Sequence, residues 1–328
     1  MIKSSLPQDT NDNLEIAVTG IDCLLPQAEN CALLWDKLCQ GINLISHFES
    51  QTTSFMKDNE THEVAAKGYL PETEYFDAEF FNINSKLAEI MCPQHRILLQ
   101  VAYRALEDSG IKPSNKSQPV GVFVSGNATP LYLIHHLMPS THILSHFGLQ
   151  ALTVYNQIDA LATTLSYRLN LTGPSLTIQT ACSSSLAAII QAVNSLRRGE
   201  CAVALAGGVN ITLPLKTGYL YEPGSINSSD GVCRPFSQLA NGIVPADGAG
   251  IVVLKPLKSA LRDKDSIYAI IKGVGLNNDG QNKSGFIAPS IDGQTRVIKA
   301  ALKDANIAAS EVGYVEAHGT GTILGDRI

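Results

Sequence analysis

Apolar residues along this chain change period repeatedly, and the changes mark out alternating strands and helices. Residues 14–19 form a short apolar run ending at Gly20, which predicts a buried first strand. Residues 30–38 show helical spacing, with Glu29 or Asn30 placed to cap the start. The polar, irregular stretch 46–70 predicts surface. Helices are expected at 85–91 and 94–109, on either side of Pro93, with Gly110 stopping the second. A buried strand over 119–125, an amphipathic helix over 156–169 and a β-branched strand over 175–178 follow. Residues 186–196 return to helical spacing and stop at Arg197-Arg198-Gly199. Strands are predicted at 202–206 and 248–256, with 209–212 extending the apolar run past a Gly-Gly break. Residues 218–241 are rich in turn formers and read as a long functional loop. A long strand at 267–274, a helix at 293–304 and a strand at 313–317 complete the series. The α–β–α–β order from 156 to 206 predicts a largely parallel sheet with right-handed crossovers. One order of helices and strands occurs twice, around Cys182 and again leading to His318, which predicts an α/β protein with two halves.

Composition narrows the class. A chain of 328 residues with 45% hydrophobic content can bury one large core or two fused smaller ones. With 26 glycines and 6% aromatic residues, tight α/β crossovers suit it better than a β-sandwich. A net charge of −6 supplies no basic footprint for nucleic acid. Residues 1–13 are polar, lack an apolar signal core and read as a flexible lead-in. No apolar run approaches membrane-spanning length, so no membrane partner and a cytoplasmic location are expected. Seven cysteines without a Cys-x-x-Cys pair argue against a zinc site or a disulfide framework. Cys23, Cys31 and Cys39 are evenly spaced, but the last two fall on a helical stretch that needs core residues. His135, His136, His142 and His146 have no carboxylate or cysteine nearby in sequence and read as surface or interface residues. No metal is expected.

Two stretches carry chemistry. In Thr180-Ala181-Cys182-Ser183-Ser184-Ser185-Leu186, the cysteine falls where a strand hands over to the first turn of a helix. Unpaired N–H groups and the positive end of the helix dipole converge there, favouring thiolate, the nucleophilic form. The same N–H groups could hold an oxyanion after attack on an acyl carbon. Read alone, Cys182 could equally be a small buried hydrophobe. The second stretch, Glu316-Ala317-His318-Gly319-Thr320-Gly321-Thr322, sends a histidine off a strand end into a Gly/Thr turn. An imidazole so placed suits a base or hydrogen-bond donor, although a satisfied loop histidine is the plainer reading of it alone.

Together these motifs resemble the β-ketoacyl synthase family, specifically the ketosynthase domains of polyketide synthases. The resemblance spans 15 to 326 and includes Ala105-Leu106-Glu107-Asp108-Ser109-Gly110, Ala206-Gly207-Gly208-Val209-Asn210 and Asp230-Gly231-Val232-Cys233-Arg234-Pro235-Phe236. It implies a thiolase-like α/β fold of two similar halves stacked in layers. Residues 1–13 would be the lead, 14–247 the N-terminal half with the nucleophile, and 248–328 the start of an incomplete C-terminal half. By resemblance, Cys182 accepts an acyl chain from an acyl carrier protein and His318 promotes decarboxylation and condensation with a malonyl unit. Thr320 and Thr322 would hydrogen-bond the pantetheine arm. No cofactor is implied, because phosphopantetheine belongs to the carrier, and a homodimer is the expected assembly.

The chain departs from the family pattern in three places. Relatives carry Asp-Pro-Gln-Gln-Arg where this chain reads Cys92-Pro93-Gln94-His95-Arg96, a change expected to affect local stability more than chemistry. Asp247 stands where relatives often have glutamate. The Lys-Ser-Asn-Ile-Gly-His run that supplies a second histidine does not follow His318. A second polypeptide supplying that segment is therefore expected for chain elongation. A non-elongating acyl-transfer ketosynthase and an inactive dimerisation or docking scaffold are the alternatives.

Overall fold

A computed structural model describes residues 15–49, 61–112, 118–128, 130–214, 216–281, 283, 285 and 288–328. The lead-in expected at 1–13 and part of the stretch 46–70 lie outside the described residues.

Strand β1 (Ile16–Leu24) is apolar and buried along most of its length. It hands over to α1 (Cys31–Cys39), where the Asn30 side chain accepts from Leu33 N at 2.9 Å and satisfies an orphan helix-start donor. The stretch read as irregular surface contains three short strands, β2 (Ser46–His47), β3 (His62–Val64) and β4 (Ala66–Lys67), and it buries Val64, Ala66 and Leu70. Helices α2 (Ser85–Ile90) and α3 (Pro93–Asp108) follow, then β5 (Val120–Gly126). Helix α4 (Thr141–Val154) is kinked at Gly148, whose φ of 74° breaks the helical run. The helix expected from 156 is shorter, α5 (Leu161–Leu169), preceded by one 3₁₀ turn. Next come β6 (Ser175–Thr177), α6 (Ser184–Arg197), β7 (Val203–Asn210) and β8 (Tyr219–Tyr221). The chain closes with β9 (Gly248–Pro256), α7 (Leu257–Asp263), β10 (Ala269–Ile271) and α8 (Ile291–Ala305).

Six strands form one sheet in the order β10-β1-β9-β7-β5-β6. Strand β5 is parallel to β6 and β7, whereas β9 is antiparallel to both β7 and β1, and β10 is antiparallel to β1. The sheet is therefore mixed, and this corrects the largely parallel expectation. Strand β9, at which the second half was expected to begin, lies between β1 and β7 in the middle of this sheet. It pairs with a neighbour on each edge over most of its length, so separating it from that sheet would orphan two rows of backbone groups.

The period of two along the strands assigns side chains to the two faces. Val120, Val122 and Val124 of β5, with Val203 and Leu205 of β7, pack with α3 and α5. Phe123, Ala204 and Ala206 point to the opposite face, against Ala188, Ala192, Val193 and Leu196 of α6. Full burial of each Val, Leu or Phe side chain contributes roughly 1.5–3 kcal/mol, so these two faces dominate the stability of the domain. Helix α3 crosses β1 closely because Gly20 has no side chain: a Cβ there would lie 2.5 Å from the Ala105 carbonyl oxygen.

The C-terminal region is less covered. Strand β10 occupies three residues rather than the eight expected at 267–274. Residues 313–317 form no strand, because no neighbouring strand among the described residues pairs with them. A β-strand needs partners for its backbone groups, and an apolar alternation alone does not supply them. Tyr314 and Val315 stand exposed there, as do Ile291 and Ile298 on α8.

Candidate active site

The segment after β6 turns sharply before α6. Ala181 adopts φ 54°, a left-handed conformation that an alanine adopts at a cost of about 1–2 kcal/mol. Residues 181–183 make a 3₁₀ turn, so Cys182 precedes the first regular α-helical residue by two positions. Ser184 fixes the turn from within: its Oγ accepts from Thr180 N at 2.8 Å and donates to Ala181 O at 2.7 Å. Ser183 adds a second tie, its hydroxyl donating to Thr180 O at 2.9 Å. The result lifts Cys182 clear of the core, and its thiol is exposed.

Cys182 lines a cavity of about 870 Å³. Its walls come from the turn itself, from Ser125 to Ala128 after β5, from Gly208 to Asn210 at the end of β7, and from Cys23 and Leu25 at the end of β1. Strands β1, β5, β6 and β7 all run in one direction, and the cavity sits at their carboxyl ends. Open α/β sheets bind ligands in that position, because helix starts and loop amides converge there. The beginning of β9, running the other way, closes the remaining wall with residues 246–250.

Beneath this wall lies a buried ion pair. Lys67 Nζ stands 2.9 Å from Asp247 Oδ2, with side-chain exposures of 4% and 0%. Lys67 also donates to Thr212 O at 2.6 Å, and Asp247 Oδ1 accepts from Thr212 N at 2.8 Å. The pair ties β4 and its following turn to the loop before β9. In sequence Asp247 reads only as a shortened acid; its buried lysine partner, 180 positions earlier, carries no local signal.

The second motif lies in a different setting. His318 is exposed, and neither it nor Thr320 nor Thr322 lines the Cys182 cavity. Their loop docks instead on the segment 233–242. Gly242 N donates to Gly321 O at 2.9 Å, and the Cys233 thiol lies 3.4 Å from Thr320 O. Asp326 accepts from Gly321 N at 3.0 Å and from Phe236 N at 2.7 Å, clamping the two segments. Gly321, at φ 68°, makes the turn. The Thr320 and Thr322 hydroxyls stand 3.0 Å apart, and Thr322 Oγ1 accepts from Gly325 N at 3.1 Å. The structure thus brings Thr320 and Thr322 together, while His318 stays outside the cavity that Cys182 lines.

Behind the cavity, the departure at 92–96 has visible effects. Cys92 sits at the start of α3 and makes no side-chain cap, where a carboxylate would accept from the helix-start amides. His95 is buried with Nε2 donating to Gln157 O at 3.2 Å, while Nδ1 has no partner among the described residues. Burial pushes the His95 imidazole down to about 4. Among the described residues, no group of three His, Cys, Asp or Glu is placed to hold a metal ion. The rings of His142 and His146 stack 6.2 Å apart on α4. No helix among the described residues is long and apolar enough to cross a membrane.

Residues 13–260 match the family described as "Beta-ketoacyl synthase, N-terminal domain". The chain belongs to the β-ketoacyl synthase family. Residues 268–328 match the corresponding C-terminal domain, a boundary that leaves β9 with the N-terminal domain, as the sheet does. A phenolphthiocerol/phthiocerol polyketide synthase protein of Mycobacterium tuberculosis is 40% identical over 327 residues, covering 95% of this chain and 22% of that protein. Polyketide synthase PksM of Bacillus subtilis is 37% identical over 328 residues, 96% of this chain and 8% of that protein. Among solved structures, ketosynthase twelve of the bacillaene polyketide synthase of Bacillus amyloliquefaciens aligns with a TM-score of 0.85 at 35% identity. The alignment covers 96% of this chain and 54% of that one. The module 1 ketosynthase of the bacillaene synthase of the same species aligns at 0.83 with 36% identity, over 97% of this chain and 54% of that one. The fold is thus α/β and thiolase-like. The chain spans about half the length of these solved ketosynthases and less than a quarter of the curated relatives.

Proposed function

We propose that this β-ketoacyl synthase chain works in polyketide chain elongation, with Cys182 as the acyl acceptor. One observation carries the reading: an exposed thiol on a strained turn, at the carboxyl ends of co-directional strands, facing a cavity of about 870 Å³. The Cys182 thiolate attacks the thioester carbonyl of an acyl chain on the phosphopantetheine arm of an acyl carrier protein. The oxyanion is held by backbone N–H donors of the turn, and collapse expels the pantetheine thiol and leaves the acyl group on Cys182. In the second step a malonyl group on a carrier loses carbon dioxide, and its carbanion attacks the acyl-cysteine to form a carbon–carbon bond and release the thiolate. His318 promotes that step, and Thr320 and Thr322 hold the pantetheine arm. A homodimer is the proposed assembly. No cofactor beyond the carrier's own arm takes part.

A second reading, acyl transfer through Cys182 without condensation, is favoured by the position of His318 outside the cavity. One experiment separates the two. The protein is incubated with an acyl-pantetheine thioester, then with malonyl carrier protein. Acylation of Cys182 by intact mass supports both readings, and a β-ketoacyl product supports elongation. Loading that survives Cys182→Ala unchanged removes both.

A further inference from the structure

Cys182 is not the only cysteine on the cavity wall. Cys23, the eighth residue of β1, also lines it, and its thiol lies 3.4 Å from that of Cys31. Cys31 is the first residue of α1, and it is half-buried while Cys23 is buried. The loop between them is fixed by its own backbone. Leu25 N donates to Ala28 O at 2.8 Å, Ala28 N donates back to Leu25 O at 2.9 Å, and Gln27 takes the turn at φ 58°. The Asn30 cap then sets the first turn of α1. Both ends of the Cys23–Cys31 contact are therefore held by hydrogen bonds that do not involve the sulfurs. Helix α1 has no fully buried residue of its own, so this contact is part of what attaches it to the sheet.

We propose that Cys23 and Cys31 form a dithiol site that closes to an intramolecular disulfide when the protein meets a low-molecular-weight disulfide, pinning α1 to the strand that walls the Cys182 cavity. A disulfide needs its sulfurs at about 2.05 Å, so the pair must close by roughly 1.4 Å, within reach of side-chain rotation on a fixed loop. The more accessible Cys31 reacts first. Its thiolate attacks one sulfur of glutathione disulfide and releases one glutathione thiol, leaving a mixed disulfide on Cys31. Cys23 then gives its proton to solvent and attacks the Cys31 sulfur, releasing the second glutathione. The two protein thiols lose two hydrogens and two electrons, and the glutathione disulfide gains them. In the reduced pair, burial, the hydrogen bond to Cys31 and its charge push the Cys23 thiol up to about 12; in the mixed disulfide burial still holds it up, so the closing step is slow near neutrality and accelerates with alkaline pH. The proposal does not depend on the ketosynthase reading.

The test treats the full chain with glutathione disulfide at pH 7.5 and 9, with non-reducing peptide mapping. The expected result is a Cys23–Cys31 cross-link, an intact mass lower by about 2 Da, and faster closure at the higher pH. Cys23→Ser is expected to stop at a stable glutathione adduct on Cys31, and Cys182→Ala to leave the cross-link yield unchanged. A map that joins Cys23 to Cys182, or one in which Cys23 and Cys31 both remain reduced while Cys182 is modified, overturns the proposal.

Discussion

Ser184 is the residue on which the Cys182 turn rests, and Ser184→Ala is the perturbation that tests this. The serine is 8% exposed, and its hydroxyl makes hydrogen bonds of 2.8 and 2.7 Å to the two residues that flank the bend. Each such bond contributes about 1 kcal/mol net, so their removal costs about 2 kcal/mol. Against this stands the left-handed Ala181, which costs about 1–2 kcal/mol. With Ser184 in place the turn is favoured or balanced; without it the strain is uncompensated and Ala181 relaxes toward negative φ, carrying Cys182 with it. A loss of about 2 kcal/mol in the reactive arrangement corresponds to roughly 30-fold in rate. The assays are denaturant unfolding and the rate of Cys182 alkylation or acylation, site-resolved by peptide mass. Ser185→Ala, at an exposed neighbour, serves as the control and is expected to stay within about 0.5 kcal/mol. Ala181→Gly placed on top of Ser184→Ala is expected to restore part of the stability, because glycine adopts this φ without strain. Ser184→Ala with unchanged unfolding and unchanged Cys182 reactivity would refute the reasoning.

Three further outcomes are expected. His95 is held neutral in the fold, down to about 4 against 6.5, so the unfolded chain takes up a proton first as pH falls. Its contribution is fully present above pH 6.5 and is lost between there and pH 4, to about 3 kcal/mol; His95→Gln flattens that part of the urea-midpoint profile, and parallel profiles would contradict the assignment. Cys92→Asp supplies the missing α3 cap and should raise stability by about 1 kcal/mol, seen as a higher melting temperature. Lys67→Met leaves Asp247 buried without its partner and should cost about 3–5 kcal/mol, whereas Lys67→Met with Asp247→Leu should cost less than the single change; a double-mutant cycle with no coupling would rule out the pair.

Local pattern in the sequence carried most of the first sheet. The buried apolar run at 119–125 identified β5, and Pro93 marked the boundary at which α3 begins, because an apolar run and a fixed φ are properties of neighbouring residues. The Thr180–Leu186 stretch placed Cys182 at a strand-to-helix turn for the same reason. What local pattern could not hold was pairing. Residues 248–256 read correctly as a strand, yet only the ladders to β1 and β7 show that it lies inside the first sheet. Residues 313–317 carry strand-like residues and form none, since a ladder needs a second chain segment beside it. The left-handed Ala181 was equally hidden, because alanine does not signal positive φ and the serine that holds it there acts through space. The chain's own residues determined the position of Cys182 and the elements on either side of it. Tertiary structure alone decided what stands next to that sulfur: Lys67 and Asp247 under the cavity wall, Cys23 in it, and His318 outside it, contacts made across gaps in sequence that no local period encodes.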